Sequence, residues 1–253
     1  MKNEQYSALA RVYDVLNSEV DYRGWAAFLD RAIRQYQSTE TALVLDLACG
    51  TGAVTLPLAE LGYDMTGIDL SADMLAVARE RAAEAGRGDI LWLCQDMRSF
   101  ELYGTVDATV CCLDSLNYLL TTEDLRKTLR LVHNYLIPDG VFIFDLNTPY
   151  KFEEVYGDRS YVLEAEGVYC GWQNFYNPKS RICDFCLDIF TEEEDGSYTR
   201  TSESQRERAY SPRTVEKLLR ECGFELLARV GDFDFTPACD RDERHFYIAR
   251  AKK

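Results

Sequence analysis

The chain has 253 residues, 47% hydrophobic and 28% charged, a composition that excludes a disordered polypeptide and leaves room for one large α/β domain or two small ones. Forty-three acidic against 28 basic residues give a net charge of −15, a field that repels phosphate backbones and sets a general nucleic-acid binder aside unless a local basic patch exists. No apolar run reaches the roughly 18 residues of a membrane span, and MKNEQYSALARVYD carries acids where a signal core would be apolar, so a soluble cytoplasmic protein without a membrane partner is expected.

The segment YSALARVYDVLNSEVDYRGWAAFLDRAIRQY reads as two helices, the second capped near Asp21. Its aromatics, Tyr6, Tyr13, Tyr22 and Trp25, leave two readings open: packing onto a sheet, or a lid that closes over a ligand. From residue 43 to 147, short apolar runs alternate with amphipathic helical patterns. The strands expected are LVLDL (43–47), DMTGID (64–69), ILWLC (90–94), VDATVCC (106–112) and GVFIFDL (140–146). This alternation predicts a doubly wound α/β fold, a mostly parallel Rossmann-like sheet covered on both faces. Ser71 and Thr122 are candidate helix caps, and IPDG at 137–140 reads as a turn into the fifth strand.

After the fifth strand the pattern changes. Residues 160–210 carry β-branched and aromatic residues with turn signals at NPKS and EDG, which predicts a three-stranded antiparallel meander inserted in the core. A helix resumes at SPRTVEKLLRECG, with Ser211 as cap, Pro212 in its first turn and Gly223 past its end. A closing strand pair, FELLARVGDF and RHFYIARAKK, follows. The reading is one domain over 1–253: a helical lid (1–40), a cofactor-binding core (41–150 and 211–253) and an antiparallel cap (151–210) over the substrate.

The nine cysteines stand mostly in apolar runs, where cysteine behaves as a small hydrophobe. CDFC at 183–186 has metal-like spacing but no second Cys or His pair. With only His133 and His245 in the chain, no metal site is expected. His133 falls inside a helix and His245 in the last strand, and both read as structural.

The strand-to-helix turn DLACGTG (46–52) asks for a ligand. A phosphate-cradling loop needs a Lys-Ser/Thr pair after its second glycine, but Ala53 and Val54 follow Gly52. The dinucleotide fingerprint needs a third glycine at position 55, which is Thr55, and Asp46 would repel a pyrophosphate. DLACGTG closely resembles the first motif of class I S-adenosylmethionine-dependent methyltransferases, in which the glycines let the backbone pass close to the amino-acid portion of the donor. Three more pieces fit the family in order: Asp69 at the tip of the second strand in TGIDLS, Asp96 and Met97 in CQDMRSF, and CCLDSLNYL after the fourth strand. The resemblance implies S-adenosylmethionine as cofactor and S-adenosylhomocysteine as product. It places Asp46, Ala48, Gly50 and Gly52 against the amino-acid end and Asp69 on the ribose hydroxyls. Asp96 and Met97 fall at the adenine, Leu113 and Asp114 beside the methyl group, and Tyr13, Tyr22 and Trp25 over the donor as the lid, with Leu70 and Met74 as further cofactor contacts.

The catalytic candidates on the same basis are Asp114, Asn117 and Tyr118, with Ser115 beside them, and Tyr13, because a Tyr-Asp pair like VYD closes over the donor in several small-molecule N-methyltransferases. Asp114 and Asn117 can equally be turn and capping residues. Asp145 and Asn147 end the fifth strand and can reach an acceptor. NTPY (147–150) is similar to the Asn-Pro-Pro-Tyr motif of nucleobase and glutamine methyltransferases, but it follows the wrong strand and lacks the first proline. An aromatic lid and an antiparallel insertion resemble small-molecule enzymes acting on glycine-type amines and amino-sugar nucleotides. That makes the expected reaction methyl transfer to nitrogen or oxygen of a small molecule. Methylation of tRNA or protein, or a non-catalytic S-adenosylmethionine-binding module, are the alternatives. Tyr169, Trp172, Phe175, Tyr176, Arg208 and Tyr210 can form a pocket wall or simply pack the inserted sheet.

Overall fold

A computed structural model describes residues 12–165 and 167–253. Tyr6 and the side chain of Tyr13 lie outside the described residues. A single helical turn, α1 (Tyr13–Leu16), precedes α2 (Tyr22–Tyr36), whose cap Asp21 accepts a hydrogen bond from Gly24 N at 2.8 Å. Trp25, Phe28, Leu29, Ala32 and Ile33 recur at helical spacing along α2 and are all buried, so one apolar stripe lies on the sheet.

The core then alternates: β1 (Leu43–Leu47), α3 (Thr55–Glu60), β2 (Asp64–Asp69), α4 (Ala72–Glu84), β3 (Leu91–Cys94), β4 (Val106–Cys111), α5 (Thr122–Tyr135) and β5 (Leu136–Asn147). Four strands of an inserted sheet follow, β6 (Ser160–Ala165), β7 (Val168–Asn177), β8 (Ile182–Glu192) and β9 (Tyr198–Arg208), before α6 (Pro212–Glu221), β10 (Phe224–Val230) and β11 (Arg244–Ala251) close the chain. The main sheet has the order β10-β11-β5-β4-β1-β2-β3, with β1 to β5 parallel and β11 antiparallel to both of its neighbours. Successive residues face opposite layers. Val141, Ile143, Phe246 and Ile248 join the cluster under α2, α3 and α4, whereas Phe142, Phe144, Tyr247 and Ala249 join the one under α5 and α6.

Three local expectations are corrected. The cap of α5 is Thr121, whose Oγ1 accepts from Asp124 N at 3.0 Å, and Thr122 is the first helical residue. Ile137–Gly140 forms a bulge rather than a free turn: Val106 pairs with Leu136 and Ala108 with Val141, with Asp139 at φ 60°. The inserted sheet has four strands in the order β6-β7-β8-β9, not three. The missed hairpin turns at Gly167 (φ 76°), one of two glycines in an otherwise strand-like run. Caps at Ser71 and Ser211, with Pro212 starting α6 and Gly223 past its end at φ 87°, stand as expected.

All nine thiols are free. Cys183 is buried and Cys186 exposed, because residues three apart in β8 face opposite sides of the sheet. No helix among the described residues is long and apolar enough to cross a membrane.

Candidate active site

At the C-terminal ends of the parallel strands lies a cavity of about 670 Å³. Open α/β sheets bind ligands in this position because the loops after successive strands converge there. The loop after β1 contributes Ala48 and Gly50, β2 ends in Asp69 with Leu70 just past it, the loop after β3 carries Asp96 and Met97, and that after β4 carries Leu113, Asp114 and Ser115. Leu16, Val20 and Tyr22 border it from the N-terminal segment, and Leu163, Trp172, Phe185 and Leu187 cover it from the inserted sheet.

The loop after β1 needs positive φ at Ala48 (63°), Gly50 (55°) and Gly52 (74°). The two glycines serve different ends. A Cβ at Gly50 would meet no atom within 4 Å, and this residue lines the cavity. A Cβ at Gly52 would stand 2.7 Å from Trp92 Cη2, so Gly52 keeps the loop down on the core and does not line the cavity. Beside the loop, Asp46 Oδ2 accepts from Thr55 Oγ1 at 2.6 Å, while Oδ1 is buried with no protein partner. Burial pushes this carboxyl up to about 7, opposed by the Thr55 bond. An ammonium group supplies what Oδ1 lacks, a charged donor.

Asp69 fastens two turns at once. Its Oδ2 accepts from Gly50 N and its Oδ1 from Ser71 N, each at 2.8 Å, and burial raises its carboxyl despite these bonds. Asp96 faces the cavity and is held by Arg98, whose guanidinium keeps the carboxyl below its usual range.

The far end of the cavity is built on Arg244, the first residue of β11. Its guanidinium donates to Asp114 Oδ1 at 2.7 Å and to Asp145 Oδ2, and lies 5.5 Å from the Trp25 ring centroid. Asp114 N also donates to Asp145 Oδ2 at 2.8 Å. Leu113 (φ 57°) and Asp114 (φ 54°) are consecutive non-glycine residues in the left-handed region, a strained turn that the Asp145–Arg244 pair holds in place. Tyr118 OH donates to Gln205 Oε1 at 2.8 Å, leaving the buried Gln205 Nε2 without a partner.

Of the residues singled out in the sequence, Tyr22, Asp46, Ala48, Gly50, Asp69, Leu70, Met74, Asp96, Met97, Leu113, Asp114, Ser115 and Tyr118 meet at this cavity. Several do not. Trp25 is buried against Phe233 and Phe246, with ring centroids 5.3 Å away in each case, and it supports Arg244 from behind. Asn117 is fully buried: its Oδ1 accepts from Asn147 N at 3.0 Å and its Nδ2 donates to Arg208 O at 2.8 Å, so it acts as a clamp. Asp145 and Asn147 are also fully buried and reach the cavity only through other side chains. In the insertion, Trp172 lines the cavity, whereas Tyr169 and Phe175 are exposed on the outer face. Arg208 and Tyr210 tie the sheet to the loop after β4, through Arg208 to Leu120 O at 2.8 Å and Tyr210 to Thr121 O at 3.1 Å.

Sequence reasoning missed Lys151, Tyr156, Gln205, Glu207 and Arg244, all of which line the cavity. Gln205 and Glu207 sit in SESQRER, whose charges read as a solvent-facing strand. The available signal was period two: alternate residues 205 and 207 share one face of β9. His245 is core, its Nε2 2.9 Å from Cys239 O and its imidazole pushed down by burial; His133 Nε2 lies 3.1 Å from Lys252 O.

Comparison with known proteins agrees with this geometry. A family model described as a methyltransferase domain matches residues 44–140. A Bacillus subtilis (strain 168) protein carrying the name methyltransferase YqeM is 35% identical over 98% of both chains. A glycine/sarcosine N-methyltransferase of Halorhodospira halochloris is 30% identical over 82% of this chain and 74% of that one. An amino-sugar N,N-dimethyltransferase of Streptomyces fradiae, dTDP-3-amino-3,6-dideoxy-alpha-D-glucopyranose N,N-dimethyltransferase, is 34% identical over 58% of this chain and 54% of its own. Among solved structures, an S-adenosylmethionine-dependent methyltransferase from Clostridium acetobutylicum ATCC 824 superposes with a TM-score of 0.89, at 29% identity over 98% of this chain and 99% of that one. Fold, glycine loop and relatives together define a class I methyltransferase. The chain belongs to the S-adenosylmethionine-dependent methyltransferase family. The family uses S-adenosylmethionine, and the residues present fit it: a buried carboxylate oxygen lacking a donor, beside a loop whose Gly50 leaves open space.

Proposed function

We propose that the chain transfers a methyl group from S-adenosylmethionine to a nitrogen or oxygen of a small molecule, with nitrogen favoured. The observation that carries this reading is the cover over the cavity. Leu163, Trp172, Phe185 and Leu187 of the inserted sheet line the same cavity of about 670 Å³ as the donor-side loops, and the room left beside a bound donor suits a small acceptor better than a polymer. The names of the glycine/sarcosine and amino-sugar relatives support a small amine.

In this reading Asp46 Oδ1 receives the donor's ammonium and Asp69 receives its ribose hydroxyls with the lone pairs left beside Gly50 N and Ser71 N. Asp96, Met97, Leu70 and Met74 surround the adenine, and Leu113, Asp114 and Tyr118 border the methyl group and the acceptor. The bound donor supplies a sulfonium methyl, an electrophile with its own leaving group. The protein then has to align the nucleophile with that methyl and exclude water from it. Arg244 fixes Asp114, and Gln205 fixes the Tyr118 hydroxyl, so both polar groups are held before an acceptor arrives.

Calorimetry with S-adenosylmethionine and S-adenosylhomocysteine tests the donor site. Asp69→Ala is expected to weaken both ligands at least about tenfold, because it removes charge-assisted bonds; unchanged affinity overturns the assignment. Labelled methyl transfer assayed against a metabolite extract, bulk tRNA and a protein lysate tests the acceptor class. Label found only in macromolecules overturns the small-molecule reading.

A further inference from the structure

We propose that Glu207 anchors the acceptor amine and takes the proton it must lose, with Lys151 as counter-charge and the Asn147 side chain joining the two. This rests on the reading that the chain methylates a small amine. Glu207 and Lys151 both line the cavity, although Glu207 is only 4% exposed. Asn147 Nδ2 donates to Glu207 Oε2 at 3.3 Å, and Lys151 Nζ donates to Asn147 Oδ1 at 3.2 Å. The amide thus carries one polar chain from cation to carboxylate. Trp172 and Phe185 line the same end of the cavity, and the Lys151 ammonium lies 5.1 Å from the Tyr156 ring centroid, so the acceptor end has an aromatic wall. Asn117, by gripping Asn147 N and Arg208 O, fixes the backbone on which Asn147 stands and the residue next to Glu207.

The titratable groups facing Glu207 among the described residues come from four other elements. They are Asp114 after β4, Lys151 and Tyr156 in the helical turn after β5, Cys183 on β8 and Arg244 on β11. Burial, then the Asp114 charge, raises the Glu207 carboxyl well above its usual range; burial, then Arg244, lowers the Lys151 ammonium. The shifts converge. An ordinary carboxylate is a poor base toward an ammonium, and a raised one narrows that gap.

The acceptor ammonium passes one proton to the Glu207 carboxylate, and the freed nitrogen lone pair forms the new C–N bond to the methyl carbon. The C–S electron pair leaves on sulfur, giving a neutral thioether. The product departs as a methylammonium, and the proton on Glu207 returns to solvent, one per turnover.

Glu207→Gln tests this, since it keeps an acceptor for Asn147 Nδ2 and loses the base. Its S-adenosylmethionine affinity is expected to match the wild type within about twofold, and difference infrared spectra should lose a carboxylic-acid band that titrates above the ordinary glutamate value of about 4.3. The acceptor probe is a metabolite extract, untreated or with its amines acylated, given methyl-labelled S-adenosylmethionine. Wild-type protein is expected to label only the untreated extract. Glu207→Gln is expected to do so about 10²–10⁴-fold more slowly near neutral pH, with the acid limb of its pH profile altered and partial recovery in Glu207→Asp. Equal labelling of the acylated extract overturns the proposal while leaving small-molecule methyl transfer intact. A Glu207→Gln rate and pH profile like those of the wild type overturns it as well. Absence of any labelled small molecule overturns both this assignment and the function on which it rests.

Discussion

In the proposed reading, Asp46 concentrates the chemistry of the donor end in one carboxyl group. Its folded value of about 7 against an ordinary 3.8 means that the ligand-free protein holds a proton there through much of the acidic range. A cationic ligand needs the ionised form, so S-adenosylmethionine affinity is expected to rise with pH up to about 7 and then level off. In Asp46→Asn that slope should vanish and affinity should fall, measured by calorimetry across the same range. Asp46 was legible in the sequence because its charge contradicted a phosphate ligand. Glu207 was not, since a carboxylate flanked by Arg206 and Arg208 in an eleven-residue strand looks solvated until the sheet is folded over the cavity.

At the scale of elements, strands β1 to β4 and the loops that follow them were legible because each pairs an apolar run with a motif at its C-terminal end. The inserted sheet was legible only as a β-rich stretch. Its strand count turned on one glycine, and its cavity face on a register that residue types alone do not mark. The loop after β1 predicts a separation of effects. Gly52→Ala forces φ 74° on alanine and drives its Cβ into Trp92, so the melting temperature should drop by the equivalent of about 1–3 kcal/mol. Gly50→Ala carries the strain of φ 55° without a clash, and its main effect should be lower donor affinity, because its methyl group enters the cavity. A similar separation holds for Asn117. Asn117→Ala leaves Asn147 N and Arg208 O buried without their partner, which should cost about 2 kcal/mol or more in denaturant unfolding while S-adenosylmethionine still binds. A loss of turnover with unchanged stability would instead return Asn117 to the reacting groups.

For the whole molecule, the net charge of −15 includes carboxyls that the fold takes out of water. Burial raises Asp46, Asp69, Asp145 and Glu207, so at these sites the folded state binds more protons than the unfolded chain. Stability from such groups is complete below their unfolded values and is lost as pH rises through the folded ones. Exposed pairs such as Asp89 with Arg87 and Asp188 with Arg200 act in the opposite sense, with small contributions lost in acid. The ligand-free protein should therefore melt highest between about pH 4 and 6 and lose stability toward pH 8. Saturating S-adenosylmethionine should offset part of that loss, because it places a cation beside Asp46. Thermal denaturation with and without ligand across this range measures both effects.

The clamp at Asn117 has a consequence for how such a protein can diversify. The inserted sheet leaves the core just after Asn147 and rejoins it just after Arg208, and one side chain holds both junctions. The matched family model stops at residue 140, before the first junction. The four-stranded cover is thus a cassette with both ends stapled at one point. Exchange of the segment between these junctions would replace the Leu163, Trp172, Phe185 and Leu187 side of the cavity and leave the loops after β1, β2 and β3 in place.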